Sequence, residues 1–117
     1  LFNLFVSRST GDIEPATIDH EMNDGMELPV AGGLTVVHTP GHAAGHVVLL
    51  SKRLGLLFAA DAASNMPSFG LSLGYEDLAL GLQSLRKIAA LDFDLACFGH
   101  GKPLTSGASA KFRERWG

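Results

Sequence analysis

The stretch Val37-His38-Thr39-Pro40-Gly41-His42-Ala43-Ala44-Gly45-His46-Val47 holds three of the five histidines of this chain, each four residues from the next. On a helix that spacing would align the rings on one face, a familiar metal-binding stripe. A helix is a poor fit here. Pro40 disfavours helical geometry at Thr39 and lacks an amide donor, while Gly41 and Gly45 add backbone entropy. The segment therefore predicts a loop between two strands, tightly folded at its glycines, with histidines projecting from a strand end.

The flanking sequence supports that reading. Residues 34–38 are rich in β-branched side chains, and 47–51 and 56–60 are apolar runs of strand length joined by Lys52-Arg53-Leu54-Gly55. Upstream, residues 26–30 lie between two turn signals, Asn23-Asp24-Gly25 and Ala31-Gly32-Gly33. Asp-Gly accepts positive φ, so these segments predict a meander of four or five strands. Residues 75–91 predict the best helix: Leu78, Leu82, Leu85 and Ala89 share a face that Ile88 widens. Glu76 and Asp77 are expected in its first turn and Arg86 and Lys87 in its last, with Gly81 costing about 1 kcal/mol relative to alanine. A short strand over 94–98 and a final helix starting near Ser106 or Ser109 follow, with Ala108, Phe112 and Trp116 on one face. An apolar opening over residues 1–6 reads as the end of a helix, followed by a loop. The order implies an α/β fold, a sheet with helices on one side.

Composition narrows the function. At 117 residues, with 46% hydrophobic and 18% charged residues, the chain is expected to form a single domain with its own core. A net charge of −3, only nine Lys plus Arg and no basic run argue against nucleic acid as a partner. The single cysteine, Cys97, excludes an intrachain disulfide or a CxxC zinc module and is expected to be a buried strand residue. No apolar run approaches the ~20 residues of a membrane span, and the opening lacks the basic region of a signal peptide, so a cytoplasmic location is expected.

Two further residues stand at strand ends. Asp61 follows the apolar run 56–60, where a carboxylate must be solvated, capped or metal-bound. His100 follows the strand over 94–98 and sits between Gly99 and Gly101. Imidazole and carboxylate suit zinc, iron or manganese, so one histidine of the loop over 38–46, with Asp61 and His100, forms a plausible ligand set. His38 is expected to support or pack against that set, His46 to be a structural hydrogen bonder, His20 to lie on the surface and Lys102 to be solvated.

The string His38-Thr39-Pro40-Gly41-His42-Ala43-Ala44-Gly45-His46, then Asp61, then Phe98-Gly99-His100-Gly101-Lys102-Pro103-Leu104, resembles the second half of a metallo-β-lactamase-fold hydrolase, with a glyoxalase-II- or lactonase-like motif order. The resemblance covers roughly residues 17–104. It implies half of an αββα sandwich, a mainly antiparallel or mixed sheet with helices on one face. It also implies that His42 binds a first metal, Asp61 bridges two and His100 binds the second. Zinc is the expected metal, with iron or manganese as alternatives. The implied chemistry is metal-activated hydroxide attacking an ester, thioester, lactone or related bond of a small-molecule substrate.

The chain departs from the family pattern in two places. Ala60-Asp61 stands where the family usually has Gly-Asp, and the family's first metal motif, His-x-His-x-Asp-His, is absent. With Leu1 as first residue, this leads us to expect a C-terminal piece or a natural half-fold that binds metal weakly or not at all and is inactive alone. The alternative function is a non-catalytic assembly module that homodimerises through an exposed sheet face. The expected partner is thus the missing N-terminal half or a second copy.

Overall fold

The computed structural model describes residues 14–117, so the expected helix end in the apolar opening lies outside the described residues. A run of four strands comes first: β1 (Glu27–Leu28), β2 (Leu34–His38), β3 (Val47–Ser51) and β4 (Leu56–Ala60). A small hairpin of β5 (Ser64–Asn65) and β6 (Phe69–Gly70) follows, then helix α1 (Leu78–Ala89), strand β7 (Leu95–Phe98) and helix α2 (Ala108–Trp116). Five of the strands form one sheet in the order β1-β2-β3-β4-β7. The first four make an antiparallel meander, and β7 pairs with β4 in parallel. A parallel pair needs a long crossover, which here contains the hairpin and α1. Because β2, β4 and β7 all run in the same direction, their C-terminal ends reach one edge of the sheet.

Period-two alternation gives the sheet a helix-covered face. Val37, Val48, Leu50, Leu57, Ala59 and Ala96 pack there with Leu85, Ile88 and Ala89 of α1 and with Phe93 and Phe112. Phe112 is fully buried, with the rings of Phe69, Trp116 and Phe93 centred 5.0, 5.3 and 5.4 Å away. The pairings Val36↔Leu49, Leu49↔Phe58 and Phe58↔Cys97 place an apolar row on the opposite face.

The predicted bounds of β2, β3 and β4 match the structure. The other elements differ for local reasons. Residues 26–30 yield only the two-residue β1. The hairpin of β5 and β6 is an addition, since its two-residue strands carry no readable period. Helix α1 starts later than predicted because Asp77 is its N-cap, extended at φ −141° and accepting from the Leu80 amide at 2.9 Å. Asp77 and Glu76 therefore do not occupy the first turn. Leu78 is 48% exposed, and the buried stripe begins at Gly81. Helix α2 starts after Gly107, whose left-handed φ of 61° ends the preceding turn. Cys97 is half-buried rather than buried, because it alternates onto the face away from the helices.

Candidate functional site

Three loops leave the shared sheet edge, and each carries one candidate residue. The β2–β3 loop is folded by its backbone, with Thr39 N–H donating to His46 O at 2.9 Å and Gly41 N–H to Ala43 O at 3.2 Å. Helix α1 holds it from one side. The Asp77 amide donates to Gly41 O at 2.9 Å, the Glu76 amide to His42 O at 3.3 Å and the Ser84 hydroxyl to Pro40 O at 2.6 Å. The Glu76 carboxylate in turn accepts from the Ala44 amide at 3.2 Å. This approach requires glycine at position 41: with φ at 146°, a Cβ there would collide with the Gly81 Cα.

Asp61 sits on a sharp turn at the end of β4. Ala60 adopts a left-handed φ of 46°, a conformation that costs a residue with a Cβ about 1–2 kcal/mol. The turn is tied by the Ala62 amide to Ala59 O at 3.0 Å and the Gly99 amide to Ala60 O at 2.8 Å. Gly99 leaves room for the carboxylate, since a Cβ there would collide with Asp61 Oδ1. His100 is presented by the next loop, where the Asn65 amide donates to its carbonyl at 3.0 Å. Gly101 permits the contact with β5; its φ is 96°, and a Cβ would run into the Asn65 carbonyl.

These turns bring the three predicted residues together. His42 Nε2 lies 3.7 Å from Asp61 Oδ2, and His100 Nε2 lies 3.5 Å from Asp61 Oδ1. The carboxylate thus stands between two imidazoles. Among the described residues, no three His, Cys, Asp or Glu side chains close around a single ion, so the arrangement is a flanked carboxylate rather than a finished cage. His42 Nδ1 and Asp61 Oδ1 are buried without a hydrogen-bond partner. Leaving such atoms unpaired is costly, and a cation beside the carboxylate would satisfy Oδ1. Hard and borderline divalent ions fit this donor set.

The other histidines have different roles. His38 Nε2 lies 3.0 Å from Ala44 O, inside the loop. Asp24 accepts from the His38 amide at 2.8 Å and from Lys87 Nζ at 2.9 Å, and Lys87 also donates to His38 O at 3.0 Å. Chiefly the His38 amide, and then Lys87, hold the Asp24 carboxyl below the usual carboxylate range. His46 contacts Thr39 Oγ1 through Nδ1 at 2.9 Å and the Asp61 amide through Nε2 at 3.3 Å. Burial, helped by neighbouring His42, pushes the His46 imidazole below its ordinary value. His20 is exposed, as is Lys102.

Sequence reasoning missed Tyr75. Its ring stands edge-on to His42 with centroids 6.1 Å apart, and its hydroxyl donates to Ala62 O at 2.8 Å and accepts from the Ser72 amide at 3.1 Å. Burial raises its pKa. The only sequence signal was a single tyrosine before the helix.

The architecture is an α/β sheet with histidine- and aspartate-bearing loops gathered at one edge. The chain belongs to the metallo-beta-lactamase superfamily, whose family model matches residues 11–100. It is 29% identical over 99 residues to the probable metallo-hydrolase YqjP of Bacillus subtilis (strain 168), covering 77% of this chain and 31% of that protein. The metallo-beta-lactamase family protein TTHA1429 from Thermus thermophilus superposes with a TM-score of 0.70 at 30% identity, covering 97% of this chain and 42% of that one. TTHA1623, solved in a di-iron-bound form, superposes with a TM-score of 0.69 at 25% identity, covering 92% of this chain and 53% of that one. The chain therefore spans about a third of the length of the curated relative. Among the described residues, no helix is long and apolar enough to cross a membrane.

Proposed function

We propose that this chain supplies His42, Asp61 and His100 to a two-metal hydrolytic centre completed by residues outside it. One observation carries the reading: the Asp61 carboxylate lies between His42 Nε2 at 3.7 Å and His100 Nε2 at 3.5 Å. The metal is zinc or iron; the di-iron form of TTHA1623 supports the second. When bound, the ions supply acidified water and polarisation of the scissile bond of an ester, thioester, lactone or related substrate. The chain's own residues prepare that chemistry. Asp61 holds negative charge between the imidazoles, α1 fixes the His42 loop, and Gly99 keeps the carboxylate in place. With the other ligands elsewhere, the chain alone binds metal weakly and is inactive.

The apolar residues Leu49, Phe58 and Cys97 support the incomplete-site reading, because Phe58 is 39% exposed and Leu49 and Cys97 are half-buried on the face away from the helices, where Val36 of the same row is already covered. Their proposed cover is the remaining part of a longer polypeptide. A second copy is the other reading, and a monomer in light scattering at low concentration dismisses it.

Zinc titration followed by NMR tests the site. The ring signals of His42 and His100 should shift together, and Asp61→Asn should abolish the response. A response confined to His20 or His38 overturns the assignment. So does ester turnover by the zinc-loaded chain at the rate of a complete enzyme, for the claim that the site is incomplete.

A further inference from the structure

We infer that His46 is a positioning residue for Asp61, acting as a neutral imidazole of fixed tautomer. A backbone amide can only donate, so the Asp61 N–H, 3.3 Å from His46 Nε2, requires a lone pair on that nitrogen. The proton of the neutral ring then resides on Nδ1, which donates to Thr39 Oγ1 at 2.9 Å. Thr39 is 2% exposed and keeps its hydroxyl within 3.5 Å of His46 O, so the acceptor is itself held in place. Both ring nitrogens are engaged. His46 is thereby removed from the pool of metal donors, while His42, four residues earlier, keeps Nδ1 without a partner.

The amide that His46 accepts from belongs to the residue after Ala60, whose left-handed backbone aims the carboxylate. A residue in that conformation persists only where its surroundings hold it. Three contacts do so: the Ala62 and Gly99 amides bond the carbonyls of Ala59 and Ala60, and His46 takes the Asp61 amide itself. Of these three, only the His46 contact reaches the loop that carries His42. It couples the positions of two proposed ligands without touching metal.

The consequence for metal rests on the proposed function, but the hydrogen-bond relay does not, and the experiment separates them. Long-range 1H–15N spectra of the metal-free protein should show His46 protonated at Nδ1; protonation at Nε2 overturns the inference. His46→Ala should move the Asp61 amide proton upfield and raise the apparent zinc dissociation constant, read from the His42 ring signals, about 10- to 100-fold. His46→Gln, whose side-chain oxygen can accept from the Asp61 amide, should recover most of both effects. A Gln variant that folds yet matches Ala, or an Asp61 amide unmoved in Ala, overturns the inference. If His46→Ala does not fold, Thr39→Val decides: loss of the Nδ1 acceptor should mix the tautomers and shift the Asp61 amide, and unchanged spectra overturn the relay. If the wild-type chain binds no zinc even weakly, the metal reading fails, and the tautomer and the amide shift still decide this one.

Discussion

Gly81→Ala sets two calculable effects against each other. Position 81 is interior to α1, where alanine is favoured over glycine by about 0.8–1.0 kcal/mol, so helix propensity alone predicts stabilisation. Packing predicts the reverse. The added Cβ would lie 2.7 and 2.9 Å from two ring carbons of Tyr75. Carbon contacts are optimal near ~3.5–4.0 Å, so the ring must withdraw by most of an ångström. It is tied by hydrogen bonds at 2.8 and 3.1 Å to Ala62 O and the Ser72 amide. Overpacking of this kind costs about 1–3 kcal/mol, and weakening either hydrogen bond adds about 0.5–1.5 kcal/mol. The sum is a net loss centred on about 2 kcal/mol, within a span of about 0.5–3.7 kcal/mol, or roughly 10 °C in Tm at the centre for a chain of this size. Thermal and urea melts of the four members of a Gly81→Ala, Tyr75→Ala cycle measure it. In the Tyr75→Ala background the same substitution should stabilise by about 1 kcal/mol, because the nearest remaining atom, Gly41 Cα, is at an ordinary 3.7 Å. Stabilisation by Gly81→Ala with Tyr75 intact, or the same effect in both backgrounds, would refute the argument.

Gly99→Ala should displace the Asp61 carboxylate that its added Cβ would strike and weaken zinc binding at least tenfold in the NMR titration, with the far-UV spectrum retained. Ala60→Gly should stabilise the chain by about 0.5–1 kcal/mol in urea melts, since relief of the left-handed φ of 46° exceeds the extra unfolded-state entropy of glycine. Asp24 is held by the His38 amide and Lys87, so its folded pKa lies below the unfolded value. Its contribution is therefore complete above the unfolded carboxylate range near pH ~4 and is lost as pH falls through the lower folded value. Asp24→Asn should flatten the acid limb of the stability profile below about pH 4, by a small amount because the side chain is 54% exposed.

Much of the architecture could be read along the chain because it depends on neighbours in sequence. Pro40 with Gly41 and Gly45 excluded a histidine-striped helix, and the structure has a loop there. The runs over β2, β3 and β4 alternate or persist over strand length, and their bounds matched. Asp77 was misplaced because a capping aspartate and a first-turn aspartate have the same local sequence. Only its φ and its contact with the Leu80 amide distinguish them.

Residue types and order, then, narrowed the candidates to a histidine of the loop over 38–46 with Asp61 and His100 at the ends of apolar runs, and the family resemblance singled out His42. Their meeting was decided in three dimensions, by parallel pairing of β7 with β4, which brings segments some forty residues apart to one sheet edge. Gly81 shows the same division most plainly. Its sequence context predicts a weakened helix, whereas packing makes it the place where α1 meets the Gly41 backbone and the Tyr75 ring. The role of His46 likewise follows from which atom faces each ring nitrogen, and that is a property of the assembled loops rather than of the spacing between histidines.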